Sequence, residues 1–390
     1  MKNLYLNMPQ FKAETEKCLQ CPSKPCQKAC PAQVSPKDFI AAAKIGDISQ
    51  AAELIAEQNA MGEICGLICP DSFCMRACVR AQIDFSIRIP ALQATIMQKA
   101  RQNNLPTKQN NVANGKKVAV IGAGPAGFGA IAALLKKGYA VTVFEKENVC
   151  GGALNLIPEV RLPREIIAYE WQRLKQNPLL KAEFKTNITE YEKLLQQGFA
   201  GVVVATGAPH LRTLGIEGEN LALAYDEYLA KPQQYAADGH VAVVGGGAVA
   251  VDCALTAAKQ GAKHVEMFVR RRIGDMRITA AERQSLLDNG IDITTMTRPL
   301  KIEKHDNGLA LYTVKTEFNA DGRLQDVENT QTCRGGFAYV VLALGSTGAE
   351  NMPRNPLIIY AGDVVSGGTT AVQALASGKK AAEELAAKIA

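Results

Sequence analysis

The chain has 390 residues, 47% of them apolar and 21% charged, and carries a formal charge of +6. At roughly 100 to 200 residues per domain this predicts two to four domains, and the proportions exclude a disordered, collagen-like or coiled-coil chain. No apolar run reaches the ~18 residues of a membrane-spanning helix, the start from Met1 to Lys12 is polar and aromatic residues are scarce, so the expectation is a cytoplasmic protein that binds neither membrane nor nucleic acid.

The first feature in chain order is a cysteine-dense head. Eight of the eleven cysteines fall between Cys18 and Cys78, while Cys150, Cys253 and Cys333 stand singly. Each single one reads as a small buried apolar side chain. Without a targeting signal there is no oxidising compartment for disulfides, so metal or iron-sulfur ligation is the better reading of the head. The runs are Cys18, Cys21, Cys26, Cys30 with Pro31, and Cys65, Cys69 with Pro70, Cys74, Cys78. Short, unequal gaps and Cys-Pro endings suit ferredoxin-type ligation better than paired zinc knuckles, and the thiolates suffice for two 4Fe-4S clusters. Either each run holds its own cluster or the runs cross; a zinc-binding docking module is the alternative from another class. Between the runs, Phe39, Ile40, Ala43, Ile48, Ala52 and Ile55 recur at helical spacing over Pro36 to Gln58, so residues 1–110 read as a small α-helical domain. The polar stretch from Arg101 to Gly115 reads as a linker.

From Lys116 onward a strand, a glycine loop, a helix and a second strand follow one another, and the pattern occurs twice. The first copy is a strand at Lys117 to Ile121, GAGPAG, a helix to about Lys137 and a strand at Ala140 to Glu145. The second is a strand at His240 to Val244, GGGAVA, a helix to about Gln260 and a strand at His264 to Arg270. Two apolar strands ending in glycine, Gly201 to Gly207 and Tyr339 to Gly345, mark crossing points between domains, and the tail reads as a strand end, a glycine turn and a closing helix.

In the first loop, Gly122 permits a tight turn, Gly124 lets the backbone approach a pyrophosphate, and Gly127 allows close packing of helix on strand. The helix N-terminus adds free amides and a positive dipole end. Glu145 ends the next strand 23 residues after Gly122, where a carboxylate accepts hydrogen bonds from ribose hydroxyls. The second loop has Gly245, Gly247 and Ala250, and its following strand ends in Arg270, Arg271 and Arg272. Guanidinium groups there bind a 2′-phosphate that a carboxylate would repel, which points to NADP rather than NAD. The histidines His210, His240, His264 and His305 show no triad or metal spacing, and no residue is assigned as a catalytic acid or base.

The order GAGPAG, terminal glutamate, ATG, GGGAVA, ALG and a late AGD resembles the flavoproteins with two dinucleotide-binding domains, in which FAD sits in the first and NAD(P)H in the inserted second. The resemblance implies flavin contacts at Ala126, Gly152, Gly362, Asp363 and Thr370, with Asp363 at the ribityl and pyrophosphate region and a helix from near Thr369 pointing at the flavin pyrimidine. No paired redox cysteines accompany the flavin, so its electrons leave by another route. The stretches CLQCPSKPCQKACP, NAMGEICGLICPDSFCMRAC, IRIPALQ, IPEVRLPREII and FVRRRIGDMR resemble the NADPH-oxidising N-terminal half of dihydropyrimidine dehydrogenase and its separate bacterial counterpart, with the glutamate synthase small subunit more distant.

That second resemblance implies one cluster on Cys18, Cys21, Cys26 and Cys78 and another on Cys30, Cys69, Cys74 and Gln93, leaving Cys65 a non-ligand. It also implies a 2′-phosphate at Arg270, Arg271 and Arg277 and a flavin contact at Arg161. Ala248 stands where relatives commonly have Asp, and the connection from Ser346 to Gly362, 17 residues, is abbreviated. The expected fold is α/β, with two Rossmann-like dinucleotide-binding domains: an FAD domain at 116–207 and 345–390 and an NAD(P)H domain inserted at 208–344. The α-helical iron-sulfur domain at 1–110 precedes them. The expected activity is oxidation of NADPH through FAD and two 4Fe-4S clusters toward a partner in a hetero-oligomer. That partner is an FMN-containing subunit reducing uracil or thymine, since no FMN barrel pattern is present; the alternatives are a large subunit of the glutamate synthase type or another NADPH-dependent reductase.

Overall fold

The computed structural model describes residues 5–105, 112–236 and 238–390, so residues 106–111 of the expected linker lie outside them. The chain divides into two compact units. One comprises the described residues up to Asn155 with Glu159–His210 and Thr347–Ala390, and the other Leu156–Pro158 with Leu211–Ser346. Among the described residues no helix is long and apolar enough to cross a membrane.

The cysteine head belongs to the first unit and is built of the helices Met8–Glu16, Pro25–Lys28, Pro36–Lys44, Ile48–Gln58, Gly62–Ile68 and Ile89–Gln102. Proline at the first helical positions of Pro25–Lys28 and Pro36–Lys44 costs no intrahelical bond there and presets the backbone. The single helical period expected over Pro36 to Gln58 breaks into two helices. Gly46 adopts φ +86°, and the Asp47 side chain caps the second helix by accepting from the Gln50 N–H at 2.9 Å. Phe39, Ile40, Ile55, Met61, Ile64, Leu92 and Ile96 are buried together as the core of the head. A Cβ on Gly66 would lie 2.4 Å from the backbone nitrogen of Ala94, so the helices Gly62–Ile68 and Ile89–Gln102 touch backbone to backbone. That contact brings Gln93 against the first of these helices, where its side chain donates to the Gly62 carbonyl at 2.7 Å.

The rest of the first unit is a five-stranded parallel sheet in the order Ile358–Tyr360, Gly201–Val204, Lys117–Ile121, Ala140–Phe144, Leu180–Glu183. Its central strands are apolar and buried on both faces because helices cover both sides. Two of these helices, Pro125–Lys136 and Ala371–Lys388, approach unusually closely. A Cβ on Gly129 would sit 2.0 Å from the Leu375 carbonyl oxygen, and one on Gly378 would sit 1.8 Å from that of Ala126.

The second unit carries a sheet in the order Thr297–His305, Gly308–Phe318, Thr332–Leu342, His240–Val244, His264–Val269, Asp292–Thr295. The last four strands run parallel and the first three antiparallel. The glycine-ended strand expected at Tyr339 to Gly345 is thus the end of a longer strand that starts at Thr332 and stops at Leu342. Its outer half lies in the antiparallel part and is exposed, so Cys333 is exposed and not the buried side chain expected, whereas Cys150 and Cys253 are buried.

Candidate functional site

In the first unit the strand ends Ile121, Phe144, Val204 and Tyr360 are in register, so the loops after them gather at the carboxyl edge of the parallel sheet, where such folds bind ligands. Gly122 has φ +103°, and a Cβ there would meet the Ala205 carbonyl oxygen at 2.5 Å; a Cβ on Gly127 would meet that of Gly122 at 2.0 Å. These two glycines are required by the fold itself. At Gly124, the N-cap of the helix Pro125–Lys136, a Cβ would find nothing nearer than Gly152 Cα at 3.8 Å. Internal packing does not require that glycine, and its absent side chain leaves the backbone open to close approach by a ligand.

Glu145 is buried, and its carboxylate accepts from the Ala123 N–H at 2.7 Å and the Glu147 N–H at 2.9 Å. The Ala123 carbonyl in turn accepts from the Gly151 N–H at 2.8 Å, which lays Gly152 against Gly124. Gly362 takes φ +76°, and a Cβ there would clash with Ala126 Cβ at 2.6 Å. Asp363 Oδ1 accepts from the Thr369 N–H at 3.2 Å and from its hydroxyl at 2.5 Å. The closing helix starts at Ala371, two residues beyond the expected position, because Thr370 is its N-cap in a capping box with Gln373. Arg161 lies half-buried in the segment before the helix Arg164–Lys175. Arg164 staples that segment by donating to the carbonyls of Asn155 at 2.7 Å and Leu162 at 3.1 Å, and burial pushes its pKa down.

The second unit repeats the loop. Gly245 has φ +148°, with the Ala343 carbonyl oxygen 2.3 Å from where a Cβ would lie. Ala250 is fully buried against the turn, and Gly247 faces open space. Arg277 is drawn beside the loop by a bridge to Gly247 and by its N–H donating to the Gly246 carbonyl at 3.1 Å. The backbone carbonyls of Arg270 and Arg271 are held by the Thr316 hydroxyl at 2.7 Å and the Met296 N–H at 3.2 Å. Of the three consecutive arginines, Arg272 is committed internally: it pairs with Asp275 at 3.2 Å and lies 4.6 Å over the Phe318 ring. The guanidinium groups of Arg270, Arg271 and Arg277 make no hydrogen bond or ion pair with the described residues.

In the head, Cys18, Cys21, Cys26 and Cys78 line one cavity with Ile40 and Ile89. The other thiols form a second neighbourhood, in which Cys69 hydrogen-bonds with Cys65 and both Cys69 and Cys74 lie in the field of Cys30. Burial raises the pKa of Cys18, Cys26 and Cys30 and pushes Cys74 up to about 12, and the Cys65 hydrogen bond together with burial raises Cys69. Thiolates so placed need a strong local cation to form, which iron supplies. Against burial, the backbone amides of Gln27, Cys26 and Lys37 favour the Cys26 thiolate and those of Val34, Ala32 and Gln33 favour that of Cys30, the kind of polarity that tunes iron-sulfur ligands. Gln93 donates its Nε2–H to the Gly62 carbonyl at 2.7 Å, which leaves Oε1 without a hydrogen bond among the described residues. Among the described residues no three Cys, His, Asp or Glu side chains converge tightly enough for a single ion. Zinc asks for four ligands within ~2.3 Å of one point, whereas a 4Fe-4S cube spreads its thiolates around a larger body, so the donor set fits the cube better.

The family model for dihydropyrimidine dehydrogenase domain II, 4Fe-4S cluster, matches residues 2–105, and that for pyridine nucleotide-disulphide oxidoreductase matches residues 116–378. The chain belongs to the pyridine nucleotide-disulphide oxidoreductase family and carries a dihydropyrimidine-dehydrogenase-type 4Fe-4S head. It is 31% identical over 382 residues to the NAD-dependent dihydropyrimidine dehydrogenase subunit PreT of Escherichia coli K12, covering 95% of this chain and 92% of that protein. It is 28% identical over 431 residues to the glutamate synthase [NADPH] small chain of the same organism, covering 96% and 90%. Mycobacterium tuberculosis FprA in complex with NADPH shares the fold with a TM-score of 0.61 at 16% identity, covering 70% of this chain and 84% of that one. The expected fold class is the one observed, and the chain is an NAD(P)H-dependent FAD oxidoreductase with an iron-sulfur head.

Sequence reasoning missed residues that work through long-range contacts: Gly129 and Gly378 in the helix contact, Arg164 in the staple, and a cluster of Tyr5, Arg101 and Arg173 around the buried carboxylates of Glu63 and Glu170. The doublet Gly151–Gly152 after Cys150, with φ of +109° and +53°, forms a second tight turn against Gly124.

Proposed function

We propose that this chain is the NADPH-oxidising electron-input subunit of a two-component reductase, drawing electrons through FAD and two 4Fe-4S clusters toward a partner subunit that reduces uracil or thymine. The observation that carries the reading is that the cysteine head and the flavin-type loop belong to one compact unit. Head and body are tied by Lys379 Nζ donating to Gln58 Oε1 at 2.6 Å, by the Lys136–Glu57 pair at 3.1 Å, and by Glu63 N–H donating to Glu170 at 2.7 Å. When bound, FAD supplies the conversion between a two-electron hydride and single electrons, and the clusters supply the one-electron path outward.

In this reading Gly124, Gly152, Ala126, Gly362 and Asp363 shape the flavin pyrophosphate cradle, Glu145 takes the ribose hydroxyls, and Arg161 reaches the flavin. Thr370 caps the helix that faces the flavin ring. Gly245, Gly247 and Ala250 seat the second nucleotide. Arg270, Arg271 and Arg277, whose guanidinium groups are uncommitted among the described residues, support a 2′-phosphate and hence NADPH. One cluster takes Cys18, Cys21, Cys26 and Cys78, the four around one cavity, and the other takes Cys30, Cys69, Cys74 and Gln93.

The partner is inferred from the relatives, whose names are those of subunits or chains of larger enzymes. Similarity to the glutamate synthase small chain over nearly the whole length supports a glutamate synthase large subunit as the second candidate. Anaerobic purification with the native partner, followed by NADPH oxidation with uracil or with 2-oxoglutarate plus glutamine, decides between them. Oxidation with neither refutes both.

A further inference from the structure

Glu170 lies on the body helix Arg164–Lys175 and is fully buried. One carboxylate oxygen accepts from Arg173, and the other accepts the backbone N–H of Glu63 in the head at 2.7 Å. The carbonyl of that same peptide, Gly62 O, accepts the Nε2–H of Gln93 at 2.7 Å. A single peptide group therefore holds a body carboxylate on its N–H side and Gln93 on its C=O side. It is pinned from elsewhere too. The Glu63 side chain takes Arg101 through two bonds of 3.0 Å and the Tyr5 hydroxyl at 2.8 Å. A Cβ on Gly62 would press on the Ile55 side chain at 2.9 Å, so this helix start packs closely against its neighbours.

We propose that Glu170 is a positioning residue that acts through the Gly62–Glu63 peptide to orient Gln93 and strengthen it as an iron ligand. The inference rests on the proposed role of Gln93. A charge-assisted hydrogen bond to the peptide N–H polarises the group and makes its carbonyl the stronger acceptor. The stronger pull on Nε2–H moves electron density toward Oε1, the amide atom left for iron. A more electron-rich ligand favours the oxidised cluster, so Glu170 lowers the midpoint potential of the Gln93 cluster. The contact also fixes the helix Gly62–Ile68, which carries Cys65 and is followed at once by Cys69, to the flavin-binding body.

The test is a redox titration of the full chain, prepared without air, followed by electron paramagnetic resonance and flavin absorbance. Glu170→Gln keeps the shape and removes the charge, while Glu170→Asp keeps the charge and withdraws it from the Glu63 N–H. Iron, sulfide and FAD contents of each variant establish that it is loaded. In both variants the midpoint potential of one cluster is expected to shift upward with a changed resonance signal, while the other cluster and the flavin stay at their wild-type values. In a Gln93→Cys background the shift from Glu170→Gln is expected to vanish. Unchanged clusters in both Glu170 variants, or a shift of full size in the Gln93→Cys background, overturn the proposal. If Gln93→Cys itself leaves every signal unchanged, the ligand assignment falls and this inference falls with it. A changed signal there with silent Glu170 variants removes only the peptide link.

Discussion

Replacing Arg270 and Arg271 together by alanine tests how the second loop chooses its nucleotide. Among the described residues neither guanidinium group has a hydrogen bond or ion pair, and both residues follow the strand His264–Val269 beside the glycine turn. A hydrogen bond to a charged group contributes about 1.5–3 kcal/mol. The low end applies here because Arg270 is exposed and salt screens such sites. Two such contacts amount to about 3 kcal/mol, and at about 1.4 kcal/mol per decade the ratio of kcat/KM for NADPH over that for NADH is expected to fall roughly 100-fold. The loss should shrink as salt is added. Arg272 provides the control: its guanidinium is engaged by Asp275 and lies over Phe318, so Arg272→Ala is expected to change the ratio by no more than about threefold. Steady-state oxidation with ferricyanide as acceptor measures both ratios. A double variant that loses less than about fivefold, or an Arg272 variant that loses as much as the pair, refutes the phosphate-clamp reasoning.

Gly378→Ala places a methyl group 1.8 Å from the Ala126 carbonyl oxygen; overpacking of this kind costs about 1–3 kcal/mol or more, so Tm and bound FAD should both drop, and an unchanged Tm would show that the two helices separate freely. Cys78→Ser is expected to remove about half of the iron and acid-labile sulfide, as loss of one of two clusters would, while Cys65→Ser keeps both; iron and sulfide analysis reverses the ligand assignment if the two results exchange. Among the three single cysteines, Cys333 is exposed and should react with a maleimide at pH 8. Cys150 is buried with its pKa raised to about 11. Because the thiolate is the nucleophile and the raised pKa favours the neutral thiol, Cys150 labelling should climb only as pH rises toward 11, as peptide mass mapping would show.

Much of the parallel architecture was legible because the local signals agree. The strands at Lys117–Ile121 and His240–Val244 match their expected bounds at both ends: each is a short apolar run that begins at a polar residue and ends at a glycine the chain geometry requires. The antiparallel part of the second sheet was overlooked although Asp306-Asn307-Gly308 between alternating segments is a hairpin signal; Gly308 there takes φ +117° and pairs with His305. The peptide contact of Glu63 with Glu170 spans 107 residues and leaves no periodic trace. Likewise Gly129 and Gly378 read as weak points within helices until the two helices are seen to meet at them. The misjudged Cys333 follows from the same gap, since its exposure depends on where an unforeseen strand begins.

On the proposed assignment, the two glycine loops also account for how one chain would sort two nucleotides. Both force the turn with a glycine at positive φ and leave open space at the next fingerprint glycine, so neither backbone discriminates. Discrimination falls to the residue after the second strand. Glu145 is buried, and two backbone amides hold its carboxylate in place, so it cannot swing aside for an anion. A 2′-phosphate brought to about 4 Å from it would meet a repulsion of about 4 kcal/mol per unit charge at an effective dielectric of 20. Ribose hydroxyls meet none and find acceptor lone pairs already oriented. In the proposed reading Arg270 and Arg271, at the equivalent place in the second unit, would reward the phosphate and give bare hydroxyls no matching carboxylate. Exchanging Glu145 for arginine should therefore lower FAD retention without creating an NADPH site, because the amides of Ala123 and Glu147 would lose the acceptor that shapes the first loop.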